Sequence, residues 1–171
     1  MAALEWSDGL ALDLPLMDDT HHEFVELLHT VEGADDTQIL AAWKALVEHT
    51  DGHFGQEDRW MQATRFASSN CHSLQHKVVL QVMREGTQRA EQGELDVLRD
   101  MASELAIWFP QHTQSMDAAL ALHLRRVGFD AATGSVNAPA ELPSDLIQGC
   151  GGACSTDDEY VQDAERQAVA A

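Results

Sequence analysis

The chain has 171 residues, with 29 acidic side chains against 10 basic ones and a formal net charge of −19. That length suits one domain with residues to spare, large enough to bury a core without disulfide or metal staples. The charge excludes a nucleic-acid binder, because neutralising phosphates needs a Lys/Arg surface. No charged leader precedes an apolar stretch at the start, and nowhere do about 18 apolar residues run together, so no membrane partner is expected and the protein reads as cytoplasmic. Three cysteines, Cys71, Cys150 and Cys154, make no even disulfide framework, which fits a reducing compartment.

Residues 1 to 17, with Gly9 and Pro15, read as an N-terminal arm whose Trp6 and leucines pack on the body. A first helix is predicted from about Asp18, with Asp18, Asp19 or Thr20 as N-cap and Thr20-x-x-Glu23 matching a capping box. Its stripe is Leu14, Met17, His21, Phe24, Leu28 and Val31, which includes His21 and leaves out His22. Gly33 ends it, and Asp35, Asp36 or Thr37 caps a second helix running to about Met61. The second stripe is Ile39, Trp43, Leu46, Thr50, His53 and Glu57, and it turns from apolar to ligand-type near its end. Residues 64 to 69 read as a loop, and Asn70 caps a third helix reaching about Glu91, with His72, His76, Val79 and Met83 on its stripe.

After Gly93 a fourth helix places Leu98, Met101, Leu105, Trp108, His112, Ala119 and Leu122 on one side and ends before Gly128. Pro110 falls inside it, which predicts a kink or a restarted helix beside His112. Four amphipathic helices with short connections imply an all-α fold, an up-down-up-down four-helix bundle over residues 1–128. Beyond Gly128 large apolar residues nearly vanish. Residues 129–171 are therefore expected to form a largely irregular acidic C-terminal tail, with one short helix capped by Ser155 or Thr156.

The chemistry lies where these stripes meet. His72 and His76 are one helical turn apart and share a face. A lone histidine on an apolar face is ordinarily a core residue, but here every helix carries one on its buried stripe, and two helices add a carboxylate. Buried Glu57 and Asp117 need cationic partners, and no Lys or Arg sits on the same stripes, so a metal is the simplest partner. Five imidazoles and two carboxylates are too many for one tetrahedral zinc. They suit two six-coordinate ions bridged by both carboxylates and a solvent-derived oxygen. An ion with three histidines is then saturated, while its neighbour with two keeps one position for a small molecule. Imidazole with carboxylate suits iron, and ligand type alone leaves manganese and cobalt open. The i to i+5 spacing of His112 and Asp117 is not a same-face spacing on a regular helix.

His21, His53-xxx-Glu57, His72-xxx-His76 and His112-xxxx-Asp117, with Trp6 ahead and Asp18 three residues before His21, resemble the hemerythrin family, particularly its bacterial single-domain members, over about residues 4 to 125. The resemblance implies two oxo- or hydroxo-bridged Fe ions per chain and reversible O2 binding at one of them. It implies that His72, His76 and His112 hold the saturated iron, His21 and His53 the open one, with Glu57 and Asp117 bridging and no catalytic residue. Ferritin-like sites use two Glu-xx-His motifs, and this chain has one, Glu26-xx-His29. The expected function is O2 storage, delivery or buffering. The alternatives are a redox sensor acting through Cys150 and Cys154, or a reductase of NO or peroxide. Phe24, Leu28, Trp108 and Phe109 are expected to line the pocket, while His22, His49 and His123 are assigned outside the ligand set.

Overall fold

The computed structural model describes residues 4–66 and 71–147. It contains α1 (Pro15–Gly33), α2 (Ile39–Ala63), α3 (Cys71–Glu91), α4 (Asp96–His112), a π-helical segment (Thr113–Asp117) and α5 (Ala118–Arg126). Helix α1 packs on α2, α2 on α3, α3 on α4, and α4 returns to α1, which closes the ring of an all-α four-helix bundle. The fourth bundle helix is α4, the π segment and α5 in succession.

Helix α1 starts three residues before the expected Asp18. Pro15 sits at its first position, where a fixed φ is pre-set for the helix and a missing N–H costs nothing. Asp18 works from inside the helix. Its carboxylate reaches back to accept the N–H of Leu12 at 2.7 Å and of Leu14 at 3.1 Å, tying the N-terminal arm to the helix. The expected Thr20/Glu23 capping box is not formed, because the Thr20 hydroxyl donates to the Leu16 carbonyl at 2.8 Å instead. None of the expected caps of α2 forms: its N-cap is Gln38 with no side-chain cap bond, and the Asp35 carboxylate takes the Thr37 N–H at 2.8 Å within the turn that precedes the helix. Asn70, the expected cap of α3, lies outside the described residues.

Two apolar clusters fill the bundle. One holds Phe24, Leu28, Trp43, Leu46, Met83, Leu98 and Phe109; the other holds Met17, Trp60, Met61, Leu120, Leu124 and Val127. The Trp43 indole N–H donates to Met83 O and Thr87 Oγ1, each at 3.1 Å, so the largest residue of the first cluster is buried with its polar atom satisfied. The histidines and carboxylates of the stripes lie between the two clusters.

The fourth helix departs from expectation in two ways. It neither ends nor restarts at Pro110, which stays inside α4. The irregularity comes three residues later, where Ala118 N–H donates to Thr113 O, five residues back. That wider turn shifts the register of everything after it. Leu122, expected on the buried side, is 65% exposed, while Leu120, Ala121 and Leu124 are fully buried.

The first part of the stretch expected as a tail lies against the bundle. Strands β1 (Phe129–Asp130) and β2 (Ser135–Val136) pair antiparallel, Phe129 opposite Val136, around a turn in which Gly134 takes a positive φ. Phe129 is buried edge-on to Trp60, and Ile147 N–H reaches Arg65 O at 3.2 Å. The apolar residues Leu142 and Ile147 supply the burial that a polar composition does not advertise. Cys150, Cys154 and the short helix expected after Ser155 lie outside the described residues. No helix among the described residues is long and apolar enough to cross a membrane.

Candidate metal centre

All seven residues singled out in the sequence converge on one buried point. Helix α1 contributes His21, α2 contributes His53 and Glu57 one turn apart, α3 contributes His72 and His76 one turn apart, and the fourth helix contributes His112 and Asp117 across the π segment. None is more than 5% exposed.

The two carboxylates divide their oxygens between two groups of imidazoles. Glu57 Oε1 faces His53 Nε2 at 2.9 Å and His21 Nε2 at 3.7 Å, while Oε2 faces His72 Nε2 at 3.2 Å and His76 Nε2 at 3.4 Å. Asp117 repeats the division: Oδ2 faces His21 Nε2 at 3.3 Å, and Oδ1 faces His72 Nε2 at 2.9 Å and His112 Nε2 at 3.1 Å. One half of the centre thus has three imidazoles and the other two, each with one oxygen from each carboxylate.

These atoms are close, yet most are not aligned as hydrogen bonds. Nε2 of His21, His72, His76 and His112, Oε2 of Glu57 and both Asp117 oxygens are buried without a hydrogen-bond partner. Only His53 Nε2 and Glu57 Oε1 pair properly. Orphaned buried polar atoms cost free energy and call for an explanation. Here the explanation is chemical: nitrogen and oxygen lone pairs aimed at a shared space, of the donor types that first-row divalent metals take, fit a metal ion in each half.

The ionisation of the centre reflects the same crowding. Burial disfavours a charged His21, but the Asp117 and Glu57 carboxylates beside it outweigh that cost and raise its pKa to about 9. The same balance lifts His72 to about 10. Burial prevails at His112, which is pushed down. Burial also opposes charge on Glu57 and Asp117, but the surrounding imidazoles hold both well below the ordinary carboxylate range.

Around this centre the structure places residues that sequence reasoning missed. Asp58 Oδ1 lies 3.1 Å from His76 Nδ1, and Gln75 Oε1 accepts from both His112 Nδ1 at 3.2 Å and the Trp108 indole N–H at 3.3 Å. Phe54 stacks on His76 with ring centroids 4.0 Å apart. Adjacency to Glu57 was the available signal for Asp58; Gln75 and Phe54 carried none, because their roles depend on how neighbouring helices are rotated. Of the expected lining, Phe109 meets His21 edge-on at 5.3 Å and stacks on Phe24 at 4.4 Å. Trp108 instead stacks on His112, in the three-imidazole half. Leu28 is fully buried in the first apolar cluster. His49 bonds to Thr20 O at 3.1 Å and His123 to Thr64 O at 2.9 Å, while His22 is exposed beside Glu26.

A helical bundle that turns five imidazoles and two carboxylates from all four helices onto one dry point defines a histidine-rich cation-binding bundle. Comparison with known proteins narrows this class. The family model of the hemerythrin HHE cation binding domain matches residues 12–122. Among curated relatives, a bacteriohemerythrin of Ralstonia nicotianae is 35% identical over 131 residues, covering 77% of this chain and 96% of that protein. A bacteriohemerythrin of Pseudomonas aeruginosa is 27% identical over 122 residues, covering 69% and 79% respectively. A myohemerythrin of Sipunculus nudus is 24% identical over 112 residues, covering 66% and 86%. No solved structure gives a significant match. The chain belongs to the hemerythrin family, and its His/Glu/Asp cluster fits a non-heme iron site.

Proposed function

We propose that this chain binds O2 reversibly at a two-iron centre, with His72, His76 and His112 holding one ion, His21 and His53 the other, and Glu57 and Asp117 bridging both. The observation that carries this reading is the division of each carboxylate, one oxygen toward each group of imidazoles. Held by these residues, two ferrous ions would supply the electron pair that O2 binding draws on. The chain's own residues do the rest. His21 and His53 leave their half one donor short, which makes room for a diatomic molecule. Phe109 and Phe24 stack beside His21 and keep bulk water from that side, and water exclusion is what keeps bound O2 from leaving in reduced form. A site rich in neutral imidazole supplies less negative charge than a carboxylate-rich one, which favours release of O2 over its cleavage.

Metal analysis together with an optical spectrum under cycled O2 tests this. The expected result is two irons per chain and a visible band that grows in air and fades under vacuum. A single zinc, or irreversible bleaching on first exposure to air, overturns it.

A further inference from the structure

The two halves of the centre differ in more than their number of imidazoles. In the three-imidazole half, two rings are held from behind by hydrogen bonds that cross between helices: Asp58 of α2 holds His76 of α3, and Gln75 of α3 holds His112 of α4. Each of those rings is also clamped by a stacked aromatic, Phe54 on His76 with planes 7° apart and Trp108 on His112 with planes 28° apart. The Trp108 indole is itself fixed on the same Gln75 oxygen. The third ring of that half, His72, has its Nδ1 buried without a hydrogen-bond partner, and in the two-imidazole half this is true of both His21 and His53, so two rings of three are held in the first half and neither in the second.

An outer acceptor on Nδ1 fixes the tautomer that leaves Nε2 free to coordinate, and it fixes the plane of the ring. Side chains already ordered in the binding geometry lose little conformational freedom when an ion arrives. The five donors Glu57, His72, His76, His112 and Asp117 already lie within 4.8 Å of one another, whereas the other half gathers three, His21, His53 and Glu57. An ion in the first half also takes up part of the charge of both shared carboxylates, which weakens the attraction left for a second.

Building on the two-ion reading above, we infer that Asp58 and Gln75 are positioning residues that pre-set His76 and His112, so that the three-imidazole half takes its ion first and the His21/His53 half second.

Titration of the metal-free full chain with Co2+, followed by calorimetry and by visible absorption, tests the order without any O2 reaction. Wild type is expected to bind in two steps. His53→Ala removes the second step and leaves the first. Asp58→Ala and Gln75→Leu each weaken the first step by about 10- to 100-fold. Asp58→Asn, which keeps an acceptor for His76, loses less than Asp58→Ala. Far-UV circular dichroism and thermal melts of the metal-free variants confirm that each is folded. The two positions act on different helices, so a misfolded variant at one leaves the other to decide. A first step unmoved by both variants overturns the positioning role, and two ions entering together with equal affinity overturns the order. Failure to bind any ion defeats the two-ion reading itself, a result distinct from either.

Discussion

His112 Nε2 lies 3.1 Å from Asp117 Oδ1 although five residues separate them in the chain. On a regular α-helix, at about 100° per residue, the two side chains would point about 140° apart. The π-helical segment Thr113–Asp117 supplies the difference, and such wider turns recur at functional sites. Within this segment the Ser115 hydroxyl donates to Gln111 O at 2.6 Å.

Deleting Ser115 removes the extra residue and brings His112 and Asp117 to a four-residue spacing, about 40° apart on a regular α-helix, so Asp117 keeps its place in the centre and α5 keeps its register with Leu122 exposed. Inserting an alanine after Ser115 adds about 100° of rotation instead and turns Asp117 away from the other helices. The expected outcome is wild-type iron content in the deletion variant, and one ion per chain or less with a lower melting temperature in the insertion variant. Equal iron content in wild type and the insertion variant, measured on the purified proteins, would show that the register of this segment does not set the ligand geometry.

Ionisation of the centre predicts how the metal-free protein responds to pH. His21 and His72 have folded-state pKa values raised to about 9 and about 10, above the ordinary value of 6.5. Their contribution to stability is complete below about pH 6.5 and is lost as pH rises through 9 and 10. Glu57 and Asp117, held low, contribute above the ordinary carboxylate range and lose that contribution in acid. The metal-free chain should therefore unfold at lower denaturant at pH 10.5 than at pH 7.5. Metal uptake at pH 7.5 should release protons from both histidines, seen as a dependence of calorimetric heat on buffer ionisation enthalpy. Uptake without proton release counts against charged imidazoles in the metal-free centre.

Phe109 is 1% exposed and packs on both His21 and Phe24. Its replacement by alanine leaves a cavity beside the two-imidazole half, at a stability cost of about 3–5 kcal/mol. Water entering that cavity should speed the conversion of O2-bound protein to the oxidised form. Stopped-flow absorbance after oxygenation measures this, and an unchanged rate in a folded Phe109→Ala variant removes Phe109 from the water-excluding role.

Asp18 ties the arm to α1 through two backbone N–H groups. Asp18→Ala should cost about 0.5–2 kcal/mol, the range for a lost helix-terminal acceptor. Iron content should stay at the wild-type level, since the side chain does not face the centre. Thermal denaturation with metal analysis separates the two effects, and iron loss in a folded variant would place Asp18 in the centre's support.

Much of the centre was legible in the chain because helical periodicity is local. Steps of three and four residues put His21, His53, Glu57, His72 and His76 on buried stripes whatever the rest of the fold does, and HxxxE and HxxxH each set two donors on one face. The same local rule misplaced Leu122, because it assumes a constant turn. Hydrogen-bond register in the fourth helix is chosen by what packs on both sides of it, and only the assembled bundle, with Asp117 drawn to His21 and His72 of other helices, shows the π turn. Likewise the division of each carboxylate between two groups, the grip of Asp58 and Gln75 on rings of neighbouring helices, and the folding of Phe129 onto Trp60 all depend on how helices are rotated against one another. The sequence by itself determined that His21, His53, Glu57, His72 and His76 lie on buried helix faces; the tertiary structure alone decided which atom of each faces which, because distances between helices are set by packing and not by spacing along the chain.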